Sequence, residues 1–283
     1  MKRYAIIGHP VSHALSPRLH TAAFKALSLD CSYEAVETAP EDLAATIQRF
    51  RDEGVAGFNV TVPHKEAIIP LIDSLDDAAR GVGAVNTVTI TAGKLAGTNT
   101  DVYGFIKLAE PLATAIAGKH VAVLGAGGAA RAVLYALTSA FEPGRITLFN
   151  RTLDRAERLA SEFTTEKILI APESLFQEDL QKLFADISVI VNTTSVGMKP
   201  YTDATPLDEV KFGKVQAVID LIYTPPETAL LNAAREAGAT GVNGLEMLLH
   251  QAAKAFSLWT GREMPMDVVR RAIDTGEGGY VTV

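Results

Sequence analysis

One cysteine, Cys31, stands alone among 283 residues, so an intrachain disulfide and a thiolate-bound metal are both ruled out. A lone thiol suits a reducing compartment, and the cytoplasm is the expected location. The apolar run at the N-terminus is far shorter than a membrane span or a signal-peptide core. MKRYAII is followed at once by Gly8, His9 and Pro10 and reads as a first strand. Positive charge is not in excess either. With a formal net charge of −7, neither nucleic acid nor an anionic membrane is drawn to the chain at long range, so an anionic ligand must find local cations or hydroxyls. His9, His13, His20 and His64 do not offer the helical i, i+4 pair with a neighbouring acid that zinc sites use, and no metal is expected. There is no internal repeat and no low-complexity segment. What is present is 48% hydrophobic residues, enough at this length for one large or two moderate folded domains.

Residues 120–131, HVAVLGAGGAAR, carry the strongest local signal. A buried-type strand runs into a glycine turn that opens an alanine-rich helix, the arrangement that seats a nucleotide pyrophosphate. Gly125 permits the tight turn, Gly127 lets the backbone approach the phosphates, and Ala130 takes the third small position, where helix packs on strand. The N–H groups around Ala126, Gly128 and Ala129 then face the anion. The next strand, RITLFN, ends on Asn150, where an NAD site carries an acid for the ribose 2′-hydroxyl. Arg151 and Thr152 follow, with Arg155 one helical turn on, so two guanidiniums and a hydroxyl are placed to surround a 2′-phosphate. The pattern points to NADP. RTLDRAERLA also reads as the solvated start of a helix, with Arg155 paired to Asp154 or Glu162.

Along the first hundred residues strand and helix signals alternate: RYAII, a helix N-capped by Ser16 with Pro17 behind it, SYEAVET, a helix from PEDL to about Arg51, and VAGFNVTV. A helical stretch near IIPLIDSLDDAAR precedes a hairpin, AVNTVTI and KLAGTN, turning at Ala92-Gly93. A helix over TDVYGFIKLAEPL leads to the nucleotide unit. That unit continues as the EKILI strand, a helix near LQKLF, and the strands DISVIVNTT and VQAVIDL, as in a doubly wound parallel sheet. GLEMLLHQAAKAFSLW carries an apolar helical stripe expected to pack back on the first domain. The tail TGEGGYVTV is expected to fray, with YVTV able to add a strand in an oligomer. The expected division is 1–100, 101–242 and 243–283. The fold class is α/β.

NVTVPHKEA (59–67), GAVNT (83–87), NTDVYGF (99–105), GAGGAAR, NRT, NTTSVGM (192–198), DLIY (220–223) and NGLEMLLHQAAKAF (243–256) occur in the order found in the shikimate dehydrogenase family. Over nearly its whole length the chain resembles that family. The resemblance implies an N-terminal α/β substrate domain completed by C-terminal helices, a Rossmann-type NADP domain inserted between, and an active site in the cleft. It implies reversible NADP-dependent reduction of 3-dehydroshikimate to shikimate, a step towards chorismate and the aromatic amino acids. A homodimer is a candidate assembly.

By the same resemblance Lys65 is the catalytic residue and Asp101 its partner. Alcohol oxidation requires a group that takes the hydroxyl proton as hydride leaves, and reduction requires its return. Asp101 also reads as an N-cap of the following helix. Thr61, Asn86 and Asp101 would bind ring hydroxyls, Ser16 and Tyr223 the carboxylate side, and Gln251 the substrate from the C-terminal helix. Leu221, Gly244 and Met247 would lie near the nicotinamide, with Thr193 and Ser195 as further cofactor contacts. The family's Ser-x-Ser is here Ala14-Leu15-Ser16, one hydroxyl short, with Ser12 or His13 as substitutes. Val102 stands where glycine is common. The missing hydroxyl keeps quinate or an amino analogue of shikimate open as substrate. A folate-type methylene dehydrogenase would require a tyrosine at Thr61. A non-catalytic NADP sensor would not need Lys65 and Asp101.

Overall fold

The computed structural model describes residues 1–176, 180–207, 212, 215 and 217–274. The expected tail strand YVTV lies outside them. The described chain divides into two compact units, Met1–Gly104 with Leu249 onwards, and Phe105–Leu248.

In the first unit the elements are β1 (Lys2–Gly8), α1 (Ser16–Ala26), β2 (Cys31–Glu37), α2 (Leu43–Asp52), β3 (Gly57–Val60), α3 (His64–Ala67), β4 (Ser74–Leu75), α4 (Asp77–Val82), β5 (Thr87–Thr91), β6 (Lys94–Thr98) and the start of α5 (Thr100–Ala109). The sheet order is β2-β1-β3-β5-β6-β4. β1 pairs in parallel with β2 and β3, and β5 runs antiparallel to β3 and β6. The β5–β6 hairpin turns at Ala92 and Gly93, both with positive φ, the backbone that matches the right-handed twist of the strands.

Two local expectations are corrected. Leu15, not Ser16, is the N-cap of α1, and it makes no side-chain capping bond; Ser16 is already helical and its side chain is buried. The stretch IIPLIDSLDDAAR is not one helix. It breaks into a 3-10 turn at Ile69–Leu71, the short strand β4 and α4. Pro70 disfavours a helical residue before it, and Asp76 starts α4 afresh by accepting from the Ala79 N–H at 2.8 Å.

The second unit holds α6 (Ala113–Ile116), β7 (His120–Leu124), α7 (Gly128–Ala136), β8 (Arg145–Asn150), α8 (Leu153–Phe163), β9 (Ile170–Ser174), α9 (Leu180–Leu183), β10 (Val189–Asn192), β11 (Ala217–Asp220), α10 (Ala229–Glu236) and β12 (Thr240–Asn243). All pairings are parallel, in the order β12-β11-β10-β7-β8-β9. The central strands β7 and β10 are almost wholly buried, as expected of a sheet covered on both faces. The EKILI strand is displaced. Pairing begins only at Ile170 and runs to Ser174 through Pro172, which is tolerated because β9 is an edge strand. α10 and β12 carry no expectation from the sequence; they add a further helix and edge strand.

The chain leaves the second unit within α11 (Leu245–Thr260), followed by α12 (Met266–Asp274). Trp259 of α11 stacks on Tyr4 of β1 with ring centroids 4.9 Å apart, and its Nε1–H donates to the Val88 carbonyl at 3.1 Å. A side chain on Gly57 would meet that indole at 2.5 Å, so β3 is glycine where the indole crosses it. Phe24 and Phe256 complete this aromatic core.

Candidate functional site

β3 leads through Thr61, Val62 and Pro63 into α3, whose second residue is Lys65. The Val85 N–H donates to the Lys65 carbonyl at 2.8 Å, fixing that turn against the segment that carries Asn86. Asp101 lies in the first turn of α5. Lys65 Nζ donates to Asp101 Oδ2 at 2.6 Å, with side chains 16% and 9% exposed. Asp101 Oδ1 accepts from Asn86 Nδ2 at 2.7 Å. The carboxylate is thus committed to Lys65 and Asn86, and it does not cap α5. Asn99 does so, accepting from the Asp101 N–H at 3.1 Å.

Asn86 is buried and hydrogen-bonded at both of its amide atoms. Its Nδ2 also donates to Thr100 Oγ1 at 3.0 Å, and its Oδ1 accepts from the Thr100 N–H at 2.7 Å and from Thr87 Oγ1 at 3.0 Å. Thr100 Oγ1 reaches Gln251 Oε1 at 3.4 Å, so α11 joins the cluster through Gln251. Ser16 is buried in the first turn of α1, and the Tyr33 phenol donates to Asn59 Oδ1 at 2.6 Å. Thr61 is half-buried beside Gly8, where a Cβ would collide with its methyl. Of the substrate residues expected from the sequence, Lys65, Asp101, Asn86 and Gln251 are gathered into one hydrogen-bonded cluster, and Ser16 is buried in the same unit. Tyr223 belongs to the other unit.

In that unit the glycine turn has the geometry an anion needs. Gly125 has φ of +102°, and a side chain there would meet Thr193 Oγ1 at 2.7 Å, so only glycine fits on both counts. Thr193 Oγ1 donates to the Leu124 carbonyl at 2.7 Å, which gives it a role in holding the turn. At Gly127, the N-cap of α7, a Cβ would meet nothing within 4 Å, and no side chain caps the helix. Open room lies before the uncapped N–H groups of Gly128 and Ala129, which is what a pyrophosphate requires. Ala130 is fully buried.

Asn150 ends β8 half-buried and donates from Nδ2 to the Thr152 carbonyl at 2.8 Å, while Arg151, Thr152 and Arg155 are exposed around it. Glu162, an expected partner for Arg155, instead takes a two-pronged bond from Arg131 at 2.5 and 2.9 Å, tying α7 to α8. With no acid at this strand end, the residues present fit a 2′-phosphate.

Sequence reasoning missed the residues that hold the loops after β10 and β11. Asp220, fully buried, accepts from Asn192 Nδ2 at 2.9 Å, Thr228 Oγ1 at 2.7 Å and the Ile222 N–H at 3.1 Å. Burial raises its pKa, opposed by these bonds. Asn192 Oδ1 accepts from Thr194 N and Oγ1. The two loops carrying Thr193, Ser195, Leu221 and Tyr223 are therefore set by one buried pair. Gly244 packs so closely on Leu221 that a Cβ would run into the Leu221 carbonyl, and Met247 is buried just beyond. Asn59, Thr87 and Thr100 were missed in the first unit. The signal was available, because all of these except Thr228 stand inside or beside the motifs NVTVP, GAVNT, NTD, NTTS and DLIY.

Comparison with known proteins finds matches over most of the chain. Residues 6–88 match the model of a shikimate dehydrogenase substrate binding domain, residues 107–221 that of shikimate / quinate 5-dehydrogenase, and residues 244–273 that of the shikimate 5'-dehydrogenase C-terminal domain. The NADP(+) shikimate dehydrogenase of Methanopyrus kandleri is 44% identical over 272 residues, covering 95% of this chain and 93% of that one. The crystal structure of shikimate 5-dehydrogenase from Thermus thermophilus in complex with NADP(H) and shikimate superposes with a TM-score of 0.82 at 38% identity, covering 96% and 100% of the two chains. The Listeria monocytogenes enzyme in complex with shikimate and NAD gives 0.86 at 35% identity, covering 96% of each. A lysine–carboxylate–amide cluster in one unit, a glycine turn with an arginine-flanked strand end in the other, and this likeness along almost the entire length together establish that the chain belongs to the shikimate dehydrogenase family.

Proposed function

We propose that the protein catalyses the reversible, NADP-dependent reduction of 3-dehydroshikimate to shikimate, with Lys65 as the proton donor and acceptor and Asp101 as its partner. The observation that carries this reading is the Lys65–Asp101–Asn86 cluster. An ammonium has three donors, and Asp101 occupies one of them at 2.6 Å. The other hydrogens of Lys65 remain for a substrate oxygen. Bound NADPH supplies the hydride. Lys65 gives a proton to the carbonyl oxygen in reduction and recovers it from the hydroxyl in oxidation. Asp101 fixes the direction of Nζ, and Asn86 fixes Asp101.

Thr61, Asn86 and Gln251 are assigned to the ring hydroxyls and Ser16 to the carboxylate. Neutral donors and acceptors suit a polyol, since they bind hydroxyl groups without burying an unpaired charge. The cofactor would be held by the N–H groups at the head of α7, by Arg151, Thr152 and Arg155 at the 2′-phosphate, and by Leu221, Gly244 and Met247 near the nicotinamide.

A second reading, quinate in place of shikimate, is favoured by Ala14 alone, since the hydroxyl two positions before Ser16 is missing. Assay of both acids with NADP and NAD separates the readings. The account expects the highest kcat/KM for shikimate with NADP. It also expects Lys65→Ala to lower kcat by about 10² to 10⁴ with a much smaller change in KM. Equal turnover in that variant would remove Lys65 from the reaction.

A further inference from the structure

Asp220 ends β11 and draws three segments of the second unit to one carboxylate. Its Oδ1 accepts from Asn192 Nδ2 at 2.9 Å and from the Ile222 N–H at 3.1 Å. Its Oδ2 accepts from Thr228 Oγ1 at 2.7 Å, eight residues further along. The loop after β11 therefore leaves this carboxylate and comes back to it, with Ile222 bonded near its start and Thr228 at its end. Thr228 is held from the other side as well. It is the N-cap of α10, and its Oγ1 accepts from the Leu231 N–H at 3.2 Å. Asp220 and Thr228 are both buried, so breaking the bond between them leaves a polar group desolvated and without its partner.

The backbone of the loop is tied to the same neighbourhood. The Leu221 N–H donates to the Asn192 carbonyl at 3.0 Å, and the Gly244 N–H donates to the Ile222 carbonyl at 3.1 Å. Asn243 Nδ2 donates to the Pro226 carbonyl at 3.1 Å. Gly244 is packed hard against Leu221, so a shift of the loop is a shift of both. The adenosine side has anchors of its own. The Gly125 N–H donates to the Phe149 carbonyl at 2.7 Å, and Asn150 Nδ2 donates to the Thr152 carbonyl at 2.8 Å. Neither bond passes through Asp220.

We propose that Asp220 and Thr228 are positioning residues for the nicotinamide half of the cofactor alone, closing the loop that presents Leu221 and leaving the adenosine half to the glycine turn and the end of β8. The proposal rests on the placement of Leu221, Gly244 and Met247 near the nicotinamide. While the loop is closed it is ordered before the cofactor arrives. With the closure broken, ordering falls on the binding step and lowers affinity for the whole dinucleotide. A ligand that carries only the adenosine and its 2′-phosphate does not engage the loop.

Thr228→Val keeps the buried volume and removes the hydroxyl, and Thr228→Ser restores it. Asp220→Asn leaves Thr228 Oγ1 in place to cap α10 but offers one accepting oxygen where two are used, so damage to the closure is what it shares with Thr228→Val. Calorimetry on the intact protein without shikimate should show NADP weakened by about three- to tenfold in Thr228→Val and Asp220→Asn, the value of one net hydrogen bond, and within about twofold of the parent in Thr228→Ser. Adenosine 2′,5′-bisphosphate should bind all three as it binds the parent. Combining Thr228→Val with Asp220→Asn should weaken NADP by less than the product of the single effects, because both break one tie. Parental NADP affinity in Thr228→Val and Asp220→Asn, equal weakening of the two ligands, or no recovery in Thr228→Ser would each overturn the proposal. Leu221→Ala tests the placement beneath it. Parental NADP affinity and turnover in that variant would remove Leu221 from the nicotinamide and the proposal with it, whereas a defect there with none in Thr228→Val refutes the closure alone.

Discussion

Asp101→Asn preserves the shape of the side chain and removes its charge, which makes it the sharpest probe of the lysine cluster. The carboxylate receives Lys65 Nζ at 2.6 Å and Asn86 Nδ2 at 2.7 Å and is 9% exposed. An asparagine accepts at one oxygen only, so its amide hydrogens must face either the ammonium or the Asn86 amide, donor against donor. One charge-assisted bond disappears, worth about 1.5 to 3 kcal/mol, and Lys65 loses its counter-ion in a setting where it is 16% exposed. A combined loss of about 2 to 4 kcal/mol follows. If that loss is felt in the transition state, kcat/KM for shikimate falls by about 30- to 1,000-fold. The same loss in the ground state lowers the melting temperature by roughly 4 to 12 °C. Steady-state kinetics and a thermal melt on the same preparation measure both. A variant within about twofold of the parent in kcat/KM and within about 1 °C in melting temperature would show that the ion pair does not hold the site, against the magnitudes expected for such pairs.

Arg151→Ala should weaken NADP by about ten- to a hundredfold and NAD hardly at all, since only NADP brings a phosphate to the guanidinium; parallel loss of both, read as KM in each cofactor series, would refute the phosphate assignment. His20 is fully buried with neither ring nitrogen hydrogen-bonded, and burial lowers its pKa to about 3. The unfolded chain therefore binds a proton that the folded chain refuses. Stability from this group is complete above about pH 6.5 and declines by about 1.4 kcal/mol per pH unit as pH falls towards 3. Urea denaturation at several pH values should show the decline, and His20→Phe should flatten it by one proton; an unchanged slope would contradict the assignment.

The nucleotide turn was legible because its requirements are local. Gly125 needs positive φ, Gly127 needs open room, and both follow from a strand meeting a helix in the space of a few residues. The absence of an acid at Asn150 was equally plain. Ser16 shows the opposite case. Its capping pattern is good, yet the chain starts the helix one residue earlier and buries Ser16 in the first turn, where tertiary packing overrides the local pattern. The segment after α3 failed for a related reason: its apolar spacing suits a helix, but Pro70 and the capping Asp76 divide it, and β4 finds a partner in β6. In the site, motif residues were found and their supports were not. Asn59, Thr87, Asn192 and Asp220 act through pairings between strands, and sheet register is not written in a single stretch of sequence.

The central claim is that the amine of Lys65 exchanges the proton of the reacting alcohol. A crystal structure of the protein with shikimate and NADP both bound tests it directly. The account predicts Lys65 Nζ within about 3.2 Å of the hydroxyl whose carbon faces the nicotinamide, still bonded to Asp101. An amine turned towards bulk solvent, with no substrate oxygen in reach, would contradict it.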